Sequence, residues 1–172
     1  MASKSHWAGT CEPFCDVDIA PATAWLERTL LNAETRTAEA PCYEDFVSRH
    51  IMVSDLRWND AEKYLMPVVN TIMEDHFPQC RVLQYLISPL MVGQTISIHA
   101  DQQPPDWIVR VHVPITTNGE AVYCNPPVEH RMEVGKAYLI NTKAPHECWN
   151  RGNKDRVHFM WDVLGPVGYG VQ

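Results

Sequence analysis

The sequence predicts a mainly β protein with N-terminal helices, built on a double-stranded β-helix barrel, the jelly-roll or cupin-like fold. Helical periodicity is confined to the first 80 residues, and short β-rich runs separated by Gly, Pro and Asn fill the remainder. The chain of 172 residues has room for one hydrophobic core and little room for a second. Because helices followed by about seven short strands favour a small barrel with helices packed outside it, we expect a single domain of this class.

Two segments of the N-terminal part have the periodicity of amphipathic helices. Residues 22–32 follow Pro21, and their apolar residues recur about one turn apart. Residues 59–76 give the stronger pattern, with Asn59 as a candidate N-cap. Pro67 lies inside this second segment, where a proline kinks or restarts a helix. The apolar face of the second segment consists of Tyr64, Leu65, Val68, Val69 and Ile72.

Seven short runs after Pro78 have the composition of strands, because they are rich in β-branched and aromatic residues. These runs are residues 81–87, 95–101, 108–115, 121–124, 136–141, the neighbours of Cys148, and 156–163. The chain is therefore divided into an N-terminal extension with helices (1–80), a jelly-roll catalytic core (81–166) and a short tail (167–172). Residues 1–20 have no clean periodicity, and no element is predicted there.

Charge and hydropathy exclude several classes of function. The chain has 14 Lys and Arg against 21 Asp and Glu, a net charge of −7, which argues against indiscriminate binding to a phosphate backbone. No segment approaches the roughly 20 apolar residues of a membrane helix. The N-terminus lacks the apolar core of a signal peptide. We therefore expect a cytoplasmic protein that binds neither nucleic acid nor membranes, and the oligomeric state stays open.

The cysteines favour reduced thiols over a disulfide framework, because they are scattered and no secretion signal precedes them. Cys11 and Cys15 form a C-x3-C pair without a matching second pair, which leaves a zinc site open as an alternative. Cys124 and Cys148 lie among Val, Tyr and Trp, so we expect them to be small core residues. The six positions are Cys11, Cys15, Cys42, Cys80, Cys124 and Cys148.

A His-x-Asp pair with a distant histidine is the most informative pattern in the chain. His99 and Asp101 stand two residues apart, and His146 follows 45 residues after Asp101. Residues i and i+2 of a strand share a face, so the pair can bind one ion if the strand continues or turns at Asp101. Two histidines and one carboxylate form the facial triad of non-haem Fe(II), which leaves positions open for a co-substrate and O2. Arg156, on the strand after His146, could hold the far carboxylate of 2-oxoglutarate.

Four motifs resemble one known family. They are Gly93-Gln-Thr-Ile-Ser-Ile-His99; Arg110-Val-His112-Val-Pro114; Gly135-Lys136 with Asn141 and His146-Glu147-Cys148-Trp149; and Arg156-Val-His-Phe-Met-Trp-Asp162-Val163. Over residues 82–166, about half the chain, the sequence resembles the aspartyl/asparaginyl β-hydroxylase family of Fe(II)/2-oxoglutarate-dependent oxygenases. The first 80 residues show no match to it.

The resemblance implies a role for each motif. The two motif histidines would bind Fe(II), and 2-oxoglutarate and O2 would be co-substrates. Arg156, helped by Ser88, would pair with the distal carboxylate of 2-oxoglutarate, a task that suits a bidentate guanidinium. His112 would contact the co-substrate, and Arg110 would bind the co-substrate or a substrate carboxylate. A surface position for Arg110 and a satisfied core histidine at His112 are the alternatives. Asp162 is expected to anchor the last strand, and His158 to be a surface or structural residue.

Asp101 departs from some family members, which lack a carboxylate two residues after the first histidine. The resemblance then points to bacterial relatives that hydroxylate free amino acids. We expect a dioxygenase that hydroxylates a C–H bond of a small carboxylate-bearing substrate, with a free amino acid favoured. A peptidyl Asp/Asn hydroxylase, a cupin-like metalloprotein with redox-neutral chemistry and an inactive binding module remain as alternatives. Arg156 and Ser88 distinguish the two hydroxylases from the redox-neutral metalloprotein and the binding module. Only the hydroxylases use 2-oxoglutarate, which needs a carboxylate-binding pair beside the metal.

Overall fold

Two helices and ten strands make up the part of the chain that this computed structural model describes, residues 9–29, 51–52 and 58–166. The helices are α1 (Ala20–Thr29) and α2 (Trp58–His76). The strands are β1 (Cys11–Asp16), β2 (Ile51–Met52), β3 (Arg81–Leu90), β4 (Thr95–His99), β5 (Trp107–Thr116), β6 (Ala121–Asn125), β7 (Val128–His130), β8 (Lys136–Ile140), β9 (His146–Asn150) and β10 (Arg156–Leu164).

The strands form two antiparallel sheets that pack face to face. The larger sheet has the order β1-β8-β5-β10-β3-β2, and the smaller has the order β4-β9-β6-β7. An apolar cluster between them takes Leu90 and Ile140 from the larger sheet and Tyr123 and Cys148 from the smaller one. This arrangement is the double-stranded β-helix, so the fold class predicted from the sequence is confirmed.

Strand β10 of the larger sheet has one face toward the helices and the other toward the smaller sheet. All nine of its residues are buried. Because side chains alternate across a strand, Phe159 and Trp161 join the core under the helices, whereas Arg156, His158 and Asp162 lie on the opposite face, toward the smaller sheet. The interleaved polar residues of an otherwise apolar strand thus line the inside of the barrel.

The helices cover the outer face of the larger sheet. Leu26 of α1 and Leu65, Val69 and Ile72 of α2 are buried in one cluster with residues of β5 and β10. The apolar face predicted for the second helix is therefore confirmed. This helix begins at Trp58, so Asn59 lies inside it rather than at its cap, and it runs through Pro67 without interruption. Residues 30–32 of the first predicted helix lie outside the described residues.

Three strands have no counterpart in the sequence prediction. Strand β1 pairs with β8 at one edge of the larger sheet, β2 pairs with β3, and β7 pairs with β6. Residues before position 81 therefore contribute strands to the barrel and not helices alone. The composition of β1 hides it, because Pro13 and acidic residues are tolerated only on an exposed edge strand such as this one.

The seven strands predicted after Pro78 are all present, with small shifts of their ends. Among the described residues the cysteines are free thiols, and Cys124 and Cys148 are buried, as expected of small core residues. Cys42 lies outside the described residues. Neither described helix is both long and apolar enough to span a bilayer.

Candidate active site

Two neighbouring strands of the smaller sheet bring the two predicted histidine ligands together. His99 is the last residue of β4, and His146 is the first residue of β9. They are partners in the antiparallel register, and their ring centroids lie 4.3 Å apart. Residues directly opposite each other on antiparallel strands present their side chains on the same face of the sheet. The pairing of β4 with β9 therefore brings together two rings that are far apart in the sequence.

Asp101 completes the cluster from the loop that follows β4. Its backbone N–H donates to the carbonyl oxygen of Thr142 at 2.8 Å, which ties this loop to the chain just before β9. Its Oδ1 lies 3.5 Å from Nε2 of His99. One ligand atom from each of His99, Asp101 and His146 lies within 4.8 Å of the others. The structure thus brings the three predicted ligands to one point.

Backbone hydrogen bonds fix which nitrogen of each histidine faces the cluster. Nδ1 of His99 lies 2.7 Å from the carbonyl oxygen of Ser97, and Nδ1 of His146 lies 3.0 Å from that of Ala144. A carbonyl oxygen only accepts, so each Nδ1 carries the hydrogen and each Nε2 keeps its lone pair. Burial lowers the pKa of His146 despite the hydrogen bond to Ala144. A neutral ring with a free Nε2 is the form that binds a metal.

The donor set fits a non-haem iron ion. Two imidazole nitrogens and one carboxylate oxygen that converge from one side leave other coordination positions open, which is the arrangement of Fe(II) oxygenases. His146 is buried, whereas the side chain of His99 is 37% exposed, so the cluster lies at the mouth of the barrel and not at its centre. A metal held here would be reachable from solvent on one side.

Arg156 is buried inside the barrel, where it contacts the thiol of Cys148 and forms no ion pair with a carboxylate of the described residues. Its side chain is buried, and its Nε and Nη1 have no hydrogen-bond partner among the described residues. Burying a guanidinium without a carboxylate partner is costly, by several kcal/mol. Ser88 lies on the adjacent strand, two residues before Leu90, the register partner of Arg156, and its buried Oγ also has no partner among the described residues. A bound carboxylate would satisfy both groups, so these residues fit one end of 2-oxoglutarate.

His112 lies on the same inner face and contacts His158, a histidine expected to be a surface or structural residue. Nδ1 of His112 and Nδ1 of His158 are 3.4 Å apart, and both rings are buried. Burial, together with the charges of Arg156 and His112, holds the pKa of His158 well below its ordinary value, so its ring is neutral at pH 7. The alternation of β10 could have found it, because His158 follows Arg156 by two residues and so shares its face.

Tyr123 is a second inner residue that sequence reasoning missed. Its ring stacks on His146, with centroids 5.4 Å apart, and meets His112 edge to face at 6.1 Å. Burial raises the pKa of its hydroxyl above the ordinary value. The ring therefore forms the wall between the candidate metal ligands and the deeper part of the barrel. No sequence motif marks this position.

Arg110 is engaged by carboxylates of this chain. Its Nε and Nη2 each donate to Asp162 at 2.9 Å, and its Nη1 donates to Asp101 at 2.8 Å. Burial by itself would lower the pKa of Arg110, but the hydrogen bonds and charges of Asp162 and Asp101 outweigh it and raise that pKa. The contacts expected from the resemblance, to a co-substrate or substrate carboxylate, are therefore occupied here largely by the protein's own acids. Asp162 is buried on the last strand, where an anchor was expected.

A pocket of about 280 Å³ opens beside Asp101 and Arg110. Gln84, Leu86, Gln102 and Gln103 form the rest of its lining. The loop after the His-x-Asp pair thus borders a pocket. Gln94 does not line this pocket, and its side chain accepts a hydrogen bond from the backbone of Met91.

A family model matches most of the chain. Residues 18–166 match the model of the family described as Aspartyl/Asparaginyl beta-hydroxylase. The chain belongs to this family. Membership in the aspartyl/asparaginyl β-hydroxylase family extends through both helices, whereas the sequence motifs supported it only from residue 82. It also makes the chain a relative of Fe(II)/2-oxoglutarate oxygenases of the hydroxylase type. No curated protein sequence matches the chain significantly.

Solved structures of prolyl hydroxylases share the fold of this family member. A prolyl hydroxylase from Trichoplax adhaerens, bound to a peptide fragment of hypoxia inducible factor, has a TM-score of 0.61 at 12% identity, over 91% of this chain and 84% of that one. The viral collagen prolyl hydroxylase of Paramecium Bursaria Chlorella virus-1 has a TM-score of 0.56 at 8% identity, over 92% and 97%. A prolyl-4-hydroxylase from Pseudomonas putida has a TM-score of 0.55 at 15% identity, over 92% and 94%. At identities this low, the likeness concerns the fold alone.

Proposed function

We propose that the protein is an Fe(II)/2-oxoglutarate-dependent dioxygenase that hydroxylates a C–H bond of a small carboxylate-bearing substrate, with a free amino acid as the favoured class. The observation that carries this proposal is the presence in one barrel of the His99, Asp101 and His146 cluster and a buried Arg156 that has no counter-ion among the described residues. A metalloprotein with redox-neutral chemistry has no need of such a guanidinium. A co-substrate with a distant second carboxylate does need one.

The chain's own residues bind and orient the reactants. His99, Asp101 and His146 would hold Fe(II), which supplies, with 2-oxoglutarate and O2, the oxidising power that converts C–H to C–OH. Arg156 and Ser88 would receive the distal carboxylate of 2-oxoglutarate inside the barrel. The buried ring of Tyr123 and the apolar cluster between the sheets keep water away from this part of the site.

The pocket beside Asp101 supports a small substrate. Its volume of about 280 Å³ lies near the lower end of small-molecule sites. A guanidinium has five N–H groups, and three of those on Arg110 are used by Asp162 and Asp101. The other two would donate to a substrate carboxylate, and the amides of Gln84, Gln102 and Gln103 would add polar partners.

A peptidyl Asp/Asn hydroxylase is the second candidate. The family description and the exposure of His99 at the barrel mouth favour it, because a peptide has to reach the metal from outside. Against it stands the size of the pocket. The two candidates share the metal and the co-substrate and differ only in the primary substrate.

Succinate release in the presence of Fe(II), 2-oxoglutarate and O2 tests the proposal. The panel should contain free L-amino acids, Asp- and Asn-containing peptides and single-stranded oligonucleotides, and the His146→Ala variant should serve as the inactive control. We expect at least one free amino acid to raise succinate release above the substrate-free rate and to gain one oxygen atom by mass spectrometry. Turnover of peptides with no free amino acid accepted would replace the small-molecule proposal by the peptidyl one.

A further inference from the structure

Asp162 is the centre of a buried hydrogen-bond network that includes Gln84 and Arg110, two residues of the pocket lining. Its side chain is fully buried. Its Oδ1 accepts from Nε1 of Trp107 at 2.9 Å and from Nε of Arg110 at 2.9 Å. Its Oδ2 accepts from Nη2 of Arg110 at 2.9 Å and from Nε2 of Gln84 at 2.6 Å. Four donors on one carboxylate leave it little freedom to move.

Arg110 is fixed by this network and reaches beyond it. Arg110 and Asp162 are direct partners in the register of β5 and β10, and the two parallel hydrogen bonds between them set the plane of the guanidinium. The third nitrogen, Nη1, then points at Oδ2 of Asp101 at 2.8 Å. The orientation of this contact is therefore determined by residues of two central strands.

Asp101 needs such support, because it lies on a loop. Strand β4 ends at His99, and the hydrogen bond from the backbone of Asp101 to Thr142 holds its main chain but not its carboxylate. With Oδ2 held by Arg110, Oδ1 is the oxygen that faces Nε2 of His99. Outer-shell partners of this kind orient metal ligands and tune their affinity.

The charges give Asp162 a second task. Arg110 alone would neutralise Asp101 and compete with a metal ion for it. Asp162 supplies a counter-charge of its own, so the three groups together keep one net negative charge for the metal. Arg110 can then position Asp101 without cancelling its charge.

We propose that Arg110 and Asp162 are positioning residues, which hold the carboxylate of Asp101 so that Oδ1 alone is presented to the metal. The inference rests on the proposed function, because it assumes that Asp101 is a ligand. It gives Arg110 a task different from binding the co-substrate, and leaves the distal carboxylate of 2-oxoglutarate to Arg156 and Ser88.

The test is a double-mutant cycle on the affinity for Co(II), measured without oxygen and without 2-oxoglutarate. The d–d absorption of Co(II) reports both its binding and its coordination. Arg110→Gln should weaken Co(II) binding by roughly ten- to a hundred-fold, the range for lost outer-shell partners, and alter the absorption bands. In the Asp101→Ala background the same substitution should change the affinity little, because the side chain it positions is absent. Asp162→Asn should weaken binding in the same Asp101-dependent manner.

Arg81→Gln is the matched control, since Arg81 forms an Arg–Asp pair with Asp106 on the surface. Arg110→Lys keeps the charge but loses the two parallel hydrogen bonds to Asp162, so it should give an intermediate affinity. This variant also serves as a check in case Arg110→Gln does not fold. An equal loss from Arg110→Gln in both backgrounds would mean a merely structural role and overturn the inference, as would an unchanged affinity. If His146→Ala leaves Co(II) binding intact, the metal site and the proposed function fail instead.

Discussion

Each histidine of the candidate metal centre is held by the ring nitrogen that points away from the cluster. The carbonyl oxygens of Ser97 and Ala144 receive the Nδ1 hydrogens, and both partners lie two residues before the histidine they hold. Such local contacts cost little to arrange, because the ring and the carbonyl belong to one short stretch of chain. They leave the lone pair of Nε2 free to bind a metal.

His146 gives the sharpest test of the metal centre. We expect His146→Ala to weaken Fe(II) binding by more than about 100-fold, because even the loss of an outer-shell partner costs roughly 10–100-fold in affinity. Anaerobic titration against a ferrous chelator measures the effect. His76→Ala, at an exposed position outside the cluster, should bind iron like the parent protein. Parent-like affinity in His146→Ala would remove this residue from the ligand set.

The residue types of the site could be predicted, but some of their partners could not. The spacing of His99 and Asp101 and the presence of a second histidine carry the chemistry in themselves. The contact between Arg110 and Asp162 depends on the register of two strands that are far apart in sequence. An arginine at a barrel mouth can meet either a ligand or an acid of its own chain, and only the register decides between them.

At the scale of elements, α2 and the outer face of the larger sheet form one core. The 3.6-residue periodicity of the helix predicted this contact, because a long apolar stripe has to be covered. Strand β1 was not predicted, because it has no long apolar stripe. It is a short edge strand whose polar and proline residues are tolerated because one side of it has no partner strand. An alternating apolar pattern therefore could not reveal this edge strand.

Leu65 tests how strongly α2 stabilises the barrel. It is 1% exposed within the helix–sheet core. Leu65→Ala should lower the free energy of unfolding by about 2–5 kcal/mol, because it removes buried methyl groups and leaves a cavity. Denaturation in urea, followed by circular dichroism, gives this value. Leu83→Ala is the control, since Leu83 is 45% exposed, and its cost should stay within about 0.5 kcal/mol. Equal costs in the two variants would show that α2 is not packed as described.

At the scale of the whole molecule, the two faces of the larger sheet have opposite characters. The outer face is apolar and is covered by helices, whereas the inner face carries Arg156, His158 and Asp162 among apolar residues. Asp162 accepts four hydrogen bonds, whereas Nε and Nη1 of Arg156 have no partner among the described residues. A buried polar atom without a partner costs free energy. Under the proposed function, a carboxylate of 2-oxoglutarate would supply partners for these atoms of Arg156 and for Oγ of Ser88.

We expect 2-oxoglutarate to stabilise the protein through Arg156. A ligand at a hundred-fold excess over its Kd adds about 2.7 kcal/mol to the stability of the state that binds it. For a chain of this size that corresponds to a rise in Tm of roughly 5–11 °C, at about 2–4 °C per kcal/mol. Thermal unfolding of the Mn(II)-loaded protein, with and without 2-oxoglutarate, measures the increment. Arg156→Ala should keep the increment due to Mn(II) and lose most of that due to 2-oxoglutarate, whereas Arg131→Ala, at a surface ion pair, should keep both. If Arg156→Ala responds to 2-oxoglutarate as the parent protein does, the co-substrate is held elsewhere and the buried guanidinium needs another explanation.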